Sequence, residues 1–313
     1  MGGATRHVGL DLGATNLKWV VLEDADDGFA VIASHQVPTR VLAEPAHVPE
    51  DVTGQLAETA AAAVDSWGPA ASIGIGVPGL YDPATGATRF LVNLPGPWDG
   101  HPVAPPVAAA AGVPAFLVND ARAFGLAELR LGAGRGASSM VGLTLGTGVG
   151  GVLAIDGRVL EGHDGTAGEV GHQTIDPDGP WCGCGNRGCL EAFARADQIA
   201  HACGTATAEA AVVAARDGDE RAIAGLRDIG RYLGIGIANM ITVVSPDRVV
   251  LGGGVAAAGD LLFAPIREEV TRRVRTTSLD EVSIVPAALG VWAGAIGAAV
   301  HGAERAAKAV AAS

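Results

Sequence analysis

The amino-acid sequence predicts an α/β protein built from two related domains facing each other. Three observations carry that expectation. The chain has 313 residues, enough for about two domains at roughly 150 residues each. A strand–glycine turn–strand unit stands near the start of each half, at residues 7–22 and again at 139–155. Around these units, short apolar runs alternate with longer helical stretches, with no short-period repeat and no charged linker.

The first hairpin runs from His7 to Asp11, turns through Gly13-Ala14-Thr15-Asn16 and returns over Leu17 to Leu22, with roughly alternating apolar residues on both arms. A third strand is expected over 30–36, a helix over 51–67 and a short buried strand over 72–77. Residues 102–114 are rich in alanine and proline, which disfavours one long helix. A strand over 115–118 ends at the polar pair Asn119-Asp120, and a helix follows over 121–131. In the second half, a strand over 139–145 leads through a glycine turn, Gly146 to Gly151, into a return strand over 152–155 that closes at Asp156-Gly157. A helix is expected over 227–244, and a buried strand over 248–251 runs into Gly252-Gly253-Gly254.

Composition narrows the function classes. Hydrophobic residues make up 49% and charged residues 18% of the chain, which supplies a large core and argues against wholesale disorder. A net charge of −13 repels a phosphate backbone, so bulk nucleic-acid binding is excluded. Mean hydropathy is +0.31, and residues 136–155 and 282–303 carry no formal charge over lengths that meet the bare criterion for a spanning helix. The first holds Gly136, Gly142, Gly146, Gly148, Gly150 and Gly151, too many glycines for a stable helix. The second sets Pro286, Gly290, Gly294, Gly297, His301 and Gly302 among alanines, a composition suited to a helix packed closely on protein. Asp11 interrupts the first apolar run, which removes a signal-peptide core. A soluble, cytoplasmic protein with no membrane partner is the expectation.

Two segments fit the G-x-G-x-x-G pattern, Gly74-Gly76-Gly79 and Gly146-Gly148-Gly151. A dinucleotide fingerprint needs a helix opening directly after its glycines. A loop follows the first and a strand the second, so a nicotinamide or flavin enzyme is disfavoured. A P-loop requires a lysine after glycine, and the chain's lysines, Lys18 and Lys308, follow Leu17 and Ala307. The same scarcity removes the strand lysine of protein kinases. What remains is phosphate binding by backbone N–H groups and hydroxyls, for which Gly13-Ala14-Thr15-Asn16 and Gly146-Thr147-Gly148 both set threonine beside glycine. Alone, either reads first as an ordinary hairpin turn. Together, with Asp11 in the strand before the first, they favour a clamped nucleotide.

His172, Cys182, Cys184 and Cys189 are spaced H-x9-C-x-C-x4-C, with glycines at 183, 185 and 188 that let the backbone fold sharply. Three thiolates and one imidazole make a closed tetrahedral zinc site, structural because no position is left for water. The alternative is three free thiols in a glycine loop. Cys203 stands apart as a core residue.

With these segments in view, the chain resembles the ROK family, which comprises repressors, open reading frames and sugar kinases. The resemblance rests on Asp11-Leu-Gly-Ala-Thr15, Gly76-Val-Pro-Gly79, Asn119-Asp120, Gly146-Thr-Gly148, Glu169-Val-Gly-His172, Cys182-Gly-Cys-Gly-Asn-Arg-Gly-Cys-Leu-Glu191 and Leu251-Gly-Gly-Gly-Val255, in that order. The metal segment followed by Leu-Glu is its most specific part. The resemblance implies an actin-like ATPase fold, two RNase-H-like domains around a central cleft, with the zinc loop in the second. The division expected is 1–118 plus 293–313 for the smaller domain and 119–292 for the larger. It also implies phosphoryl transfer from ATP to a hexose hydroxyl. Family repressors carry an N-terminal helix-turn-helix, for which a hairpin starting at about His7 leaves no room, so the kinase branch is expected.

The resemblance further implies roles. Asp120 matches the catalytic aspartate, the base that deprotonates the attacking hydroxyl; without the family context, Asn-Asp after a strand reads as a turn or helix N-cap. Asn119, Asp120, Glu169, His172 and Glu191 match the sugar-hydroxyl ligands, with Gly79 and Asn93 at the same side. Carboxylates accepting hydroxyl hydrogens suit a polyol. His172 then has two tasks, one ring nitrogen on zinc and the other on the sugar. Asp11 is expected to hold Mg2+ through water. Gly13, Ala14, Thr15, Asn16, Lys18, Gly146, Thr147 and Gly148 fall on the phosphate side, and Gly252, Gly253 and Gly254 beside the adenosine. ATP, Mg2+ and structural Zn2+ are the implied cofactors, and a homodimer or homotetramer the implied assembly. The first turn reads Gly-Ala-Thr where the family has Gly-Gly-Thr, and Asn93-Leu-Pro-Gly-Pro-Trp98 is one residue longer than the Asn-Leu-x-x-Trp of the family's glucokinases, which bears on hexose choice. Glucose is the first expectation; another hexose (fructose, mannose, an N-acylated amino sugar) or a sugar-binding sensor with little turnover are the alternatives.

Overall fold

The computed structural model describes residues 4–41 and 44–312. The chain divides into two compact units, Met1–Leu131 with Val291–Ser313, and Gly132–Gly290. In the first, β1 (Arg6–Leu12), β2 (Asn16–Ala25) and β3 (Gly28–Pro38) form an antiparallel meander. Helix α1 (Val48–Trp67) crosses to β4 (Ser72–Val77), which pairs parallel with β1. A small hairpin, β5 (Gly79–Asp82) and β6 (Ala87–Leu91), is followed by α2 (Ala104–Ala111), β7 (Ala115–Asn119) and α3 (Asp120–Leu131). The sheet order is β3-β2-β1-β4-β7. The short α2 fits the expectation that the proline-rich stretch would not carry one long helix.

The second unit repeats the plan. Strands β8 (Ser139–Leu145), β9 (Val149–Ile155) and β10 (Arg158–Val159) are antiparallel. Helices α4 (Glu191–Ala194), α5 (Ala196–Cys203), α6 (Ala208–Arg216) and α7 (Glu220–Val244) precede β11 (Arg248–Gly252), and α8 (Asp260–Arg273) precedes β12 (Ser283–Pro286). Both β11 and β12 are parallel additions, giving the order β10-β9-β8-β11-β12, the counterpart of the first sheet. The final helix, α9 (Ala293–Ala312), returns to the first unit.

Period-two alternation explains how the first sheet accepts a helix on each face. Val8, Leu10 and Leu12 of β1, with Ile73, Ile75 and Val77 of β4, share a core with Val52 and Leu56 of α1. The intervening residues, Gly9 and Gly74, face α9: a methyl on Gly9 would overlap the Ala295 carbonyl, and one on Gly74 the Ala298 carbonyl. The first glycine of the G-x-G in β4 is therefore required by packing against α9. Among the described residues no helix is long and apolar enough to cross a membrane, and the charge-free stretch 282–303 supplies β12 and the start of α9.

Several boundaries differ from the sequence expectation. The units divide after Leu131, not after Val118, because α3 packs on α9: Gly297 lies against the Ala123 carbonyl, and Arg130 pairs with Glu304 at 2.7 Å. Asp120 thus belongs to the first unit, and that unit resumes at Val291, not at Ala293. The glycine turn of the second hairpin is shorter than expected, since β9 starts at Val149 and Gly150 and Gly151 pair with Thr144 and Leu143. Gly151 sits in a strand because a side chain there would overlap the Gly168 carbonyl and Val170. Helix α7 starts at Glu220, seven residues before position 227, because Asp219 caps it by accepting from the Ala222 N–H at 2.8 Å.

Candidate active site and metal centre

Asp11 is the penultimate residue of β1, opposite Lys18 on β2, with 3.8 Å between Nζ and Oδ2. Its carboxylate also lies at the first turn of α9, where a methyl on Gly294 would collide with it. A helix N-terminus favours negative charge. Burial nevertheless pushes the Asp11 carboxyl above the usual range, with Lys18 pulling the other way. The turn Gly13-Ala14-Thr15-Asn16 is closed by Gly13 N–H to the Asn16 carbonyl at 3.0 Å. Thr39, which sequence reasoning missed, braces it twice: its hydroxyl donates to the Gly13 carbonyl at 2.6 Å and its N–H to the Thr15 carbonyl at 2.9 Å. No local signal marks Thr39, because the contact spans the whole of β2 and β3.

Asn119 and Asp120 stand where β7 passes into α3. Asn119 is held on both sides of its amide, Nδ2 donating to the Gly79 carbonyl at 3.3 Å and Oδ1 accepting from Arg122 N–H at 3.1 Å. The second bond is an N-cap in form. Asp120 accepts from Ala121 N–H at 2.8 Å, and its position in the first turn suits a carboxylate. Gly79 has φ 153° and lies against the Phe90 carbonyl, so no side chain fits there. Asn93 is exposed in the left-handed region, φ 63°. In the lengthened loop after it, Gly96 at φ 116° lies where a side chain would strike Pro45 and Pro49. Trp98 is buried, donating from its indole to the Pro95 carbonyl at 3.2 Å.

In the second unit, Gly146 N–H closes on the Gly148 carbonyl at 3.0 Å, with Thr147 at the tip. The carboxylate of Glu191, first residue of α4, lies over this turn: it accepts from Val149 N–H at 3.0 Å and occupies the space where Gly148 would carry a methyl. Gly252 ends β11; Gly253, at φ 93°, lies against the Leu145 carbonyl, and the Cβ position of Gly254 is 3.6 Å from Glu209 Oε1.

His172, Cys182, Cys184 and Cys189 converge, with their ligand atoms all within 4.8 Å of one another. Cys182 Sγ is 3.7 Å from His172 Nδ1, and Cys184 Sγ is 3.7 Å from Cys189 Sγ. The edges of a tetrahedron around zinc, at its usual bond lengths to sulfur and nitrogen, are about 3.6–3.8 Å. The four residues therefore fit a structural zinc. Burial pushes the Cys182 thiol up to about 12, and a metal cation is what would ionise it. With Nδ1 turned to the sulfurs, His172 Nε2 faces Glu169 Oε2 at 4.0 Å. Glu191 Oε1 accepts from Cys182 Sγ at 3.5 Å, so one carboxylate touches both the metal cluster and the glycine turn. Gln173, not singled out by sequence, ties the loop ends: its carbonyl accepts from Leu190 N–H at 3.0 Å and its side chain from Asn239 at 3.2 Å.

Within the first unit the structure thus brings Asp11 to Lys18 and Gly79 to Asn119; within the second it brings Glu169, His172, Glu191 and the three cysteines together beside Gly148. Comparison with known proteins shows the family and the fold. The ROK family signature matches residues 7–304. The glucokinase of Thermotoga maritima is 36% identical over 311 residues, covering 93% of this chain and 95% of the relative. A ROK hexokinase from Thermus thermophilus superposes with a TM-score of 0.84 at 34% identity, covering 97% of this chain and 100% of the other. A ROK family glucokinase from Streptomyces griseus, solved in complex with glucose and AMPPNP, gives 0.78 at 29% identity over 96% of this chain and 100% of the other. The fold is accordingly that of the actin-like ATPase class. The chain belongs to the ROK family, and it is a sugar kinase of the hexokinase type within it.

Proposed function

We propose that the chain transfers the terminal phosphoryl group of ATP to a hydroxyl of a hexose, glucose first, with Mg2+, in the cytoplasm, as a homodimer or homotetramer. The observation that carries the reading is the Asn119–Asp120 pair, whose amide is held by Gly79 and Arg122 so that the adjoining carboxylate has a defined position at the end of β7. Asp120 accepts the proton of the attacking hydroxyl. Asn119, Glu169, His172 Nε2 and Glu191, with Gly79 and Asn93 nearby in role, orient the sugar by hydrogen bonds to its other hydroxyls. Backbone N–H groups and hydroxyls of Gly13, Ala14, Thr15, Asn16, Gly146, Thr147 and Gly148 receive the phosphates, with Lys18 balancing Asp11 behind the first turn. Gly252, Gly253 and Gly254 leave room for the adenosine. Mg2+, when bound, would neutralise phosphate charge, and Asp11 is the carboxylate that would hold it through water. The names of the relatives and the glucose and AMPPNP in the Streptomyces griseus structure support this choice of substrates.

ADP release measured over a panel of hexoses and amino sugars tests the reading. Glucose should turn over fastest, and Asp120→Asn should lower kcat by about 10²–10⁴ with an unchanged circular-dichroism spectrum. Faster turnover of another sugar would keep the mechanism and move the substrate. Sugar binding without ADP release would instead identify a sensor.

A further inference from the structure

The first unit contains a hollow that none of the roles above uses. About 200 Å3 in volume, it lies between β5, the loop before β6, α2, β7 and the later turns of α9. Its polar groups come from Tyr81, Thr85, His301 and Arg305, set against apolar surface that includes Phe116 and Leu117. At about 30 Å3 per water, the space suits a compact metabolite of a few carbons, not a nucleotide.

Among the residues that line the hollow the ionised group is positive, and the nearby Asp82 carboxylate is held by Thr85. Among the described residues no carboxylate pairs with Arg305, whereas neighbouring Glu304 is engaged by Arg130 at 2.7 Å. His301 is buried, and burial with the positive charges of Arg305, Lys308 and Arg122 holds it down at about 4, against a hydrogen bond with the Leu117 backbone that pulls upward. The imidazole is thus neutral near pH 7, and the guanidinium is the ionised group lining the hollow. A guanidinium fork matches carboxylate and phosphate oxygens. We propose that this hollow binds a small organic anion, a carboxylate or phosphate ester on a short carbon body, with Arg305 as charge partner.

Occupancy bears on the two strands that hold Asn119. Tyr81 follows Gly79 on β5 and Leu117 precedes Asn119 on β7, each by two positions, and Gly79 and Asn119 are joined at 3.3 Å. An anion in the hollow is therefore expected to change sugar turnover through the position of Asn119.

Isothermal titration of the full-length chain tests the site, with phosphoenolpyruvate as a probe carrying both anionic groups and pyruvate as a probe carrying the carboxylate alone. At least one should bind, and Arg305→Ala should weaken it about 10–100-fold, the range for a lost charged hydrogen bond. Arg305→Lys should recover part of that loss, and thermal melting of both variants should match the parent. Binding of phosphoenolpyruvate alone supports recognition of the phosphate; equal binding of both supports recognition of the carboxylate. Binding of neither probe at millimolar concentration overturns the proposal. So does equal binding to the parent and Arg305→Ala, because the anion then sits elsewhere.

Discussion

The hairpins that open the two units are alike in topology and unlike in chemistry. Asp11 pairs in register with Gly76 of the adjoining parallel strand, and Thr144 holds the corresponding place opposite Gly252. One unit thus sets a carboxylate where the other sets a hydroxyl. The first turn spans four residues between Leu12 and Leu17, and the second three between Leu145 and Val149. The supports differ as well. The first sheet is backed by α9 at backbone distance, through Gly9, Gly74 and Gly302, while the second turn leans on Glu191 and through it on a metal cluster. A repeated sheet order therefore leaves the chemistry at each turn, and the way it is braced, free to differ.

Metal removal should separate the two units most strongly. Structural zinc contributes about 10–16 kcal/mol in small peptides, and here its loss should first raise the sugar KM, through His172 and Glu191, and then expose residues 170–195. Hydrogen exchange on the chelated protein should show protection lost in that segment and kept in β1 and β4. Uniform loss across both units would show that the metal sustains the whole chain, and unchanged kinetics in verified metal-free protein would sink the link to the sugar.

Gly74→Ala attacks the other brace. The added methyl meets the Ala298 carbonyl, a backbone atom that cannot swing aside, so destabilisation of about 3 kcal/mol is expected, at the upper end for overpacked cores. Chemical denaturation would measure it; a change below about 1 kcal/mol would mean α9 slides on the sheet.

A smaller effect is expected at Lys18. The folded-state pKa of Asp11 is raised, so the folded chain holds that proton more tightly than the unfolded chain. Asp11 thus favours folding most below the ordinary carboxylate range, and the contribution is lost as pH rises through the folded value. Lys18→Met removes the opposing positive charge 3.8 Å away and should raise the pKa further. The acid limb of the kcat/KM profile should move to higher pH, and a limb that stays put would uncouple Lys18 from Asp11.

The mildest change compares two helix caps. Asp219→Ala removes the bond to Ala222 N–H and should cost about 1 kcal/mol with kcat unaltered. Asn119→Ala removes a bond of the same form to Arg122 N–H and should also abolish turnover if, as proposed, that amide holds a sugar hydroxyl. Equal, purely structural effects in thermal melts and rates would reduce Asn119 to a cap.

The metal cluster was legible because it is local in sequence. His172 and the three cysteines fall within one short loop, so ligand type and spacing announce the cluster before any fold is known. The glycine turns were visible as turns, although Gly150 and Gly151 belong to β9, since glycine in a strand and glycine in a loop look the same until the approaching chain is known. The first domain boundary was misplaced for a related reason: residues 121–131 read as a helix, but nothing in them names α9, far away in sequence, as their packing partner.

Composition, period-two alternation and residue spacing by themselves determined the α/β class, the two hairpins and the Cys3His cluster, because these depend on neighbours along the chain; the family came from the resemblance of the ordered motifs. Tertiary structure alone decided that α3 and α9 join the first unit, that Asp11 meets the start of α9, that Thr39 braces the first turn, and that Glu191 lies between cluster and turn. Each of these is a contact between segments distant in sequence. The geometry and burial that set them exist only once the sheets have formed and the helices have packed on them.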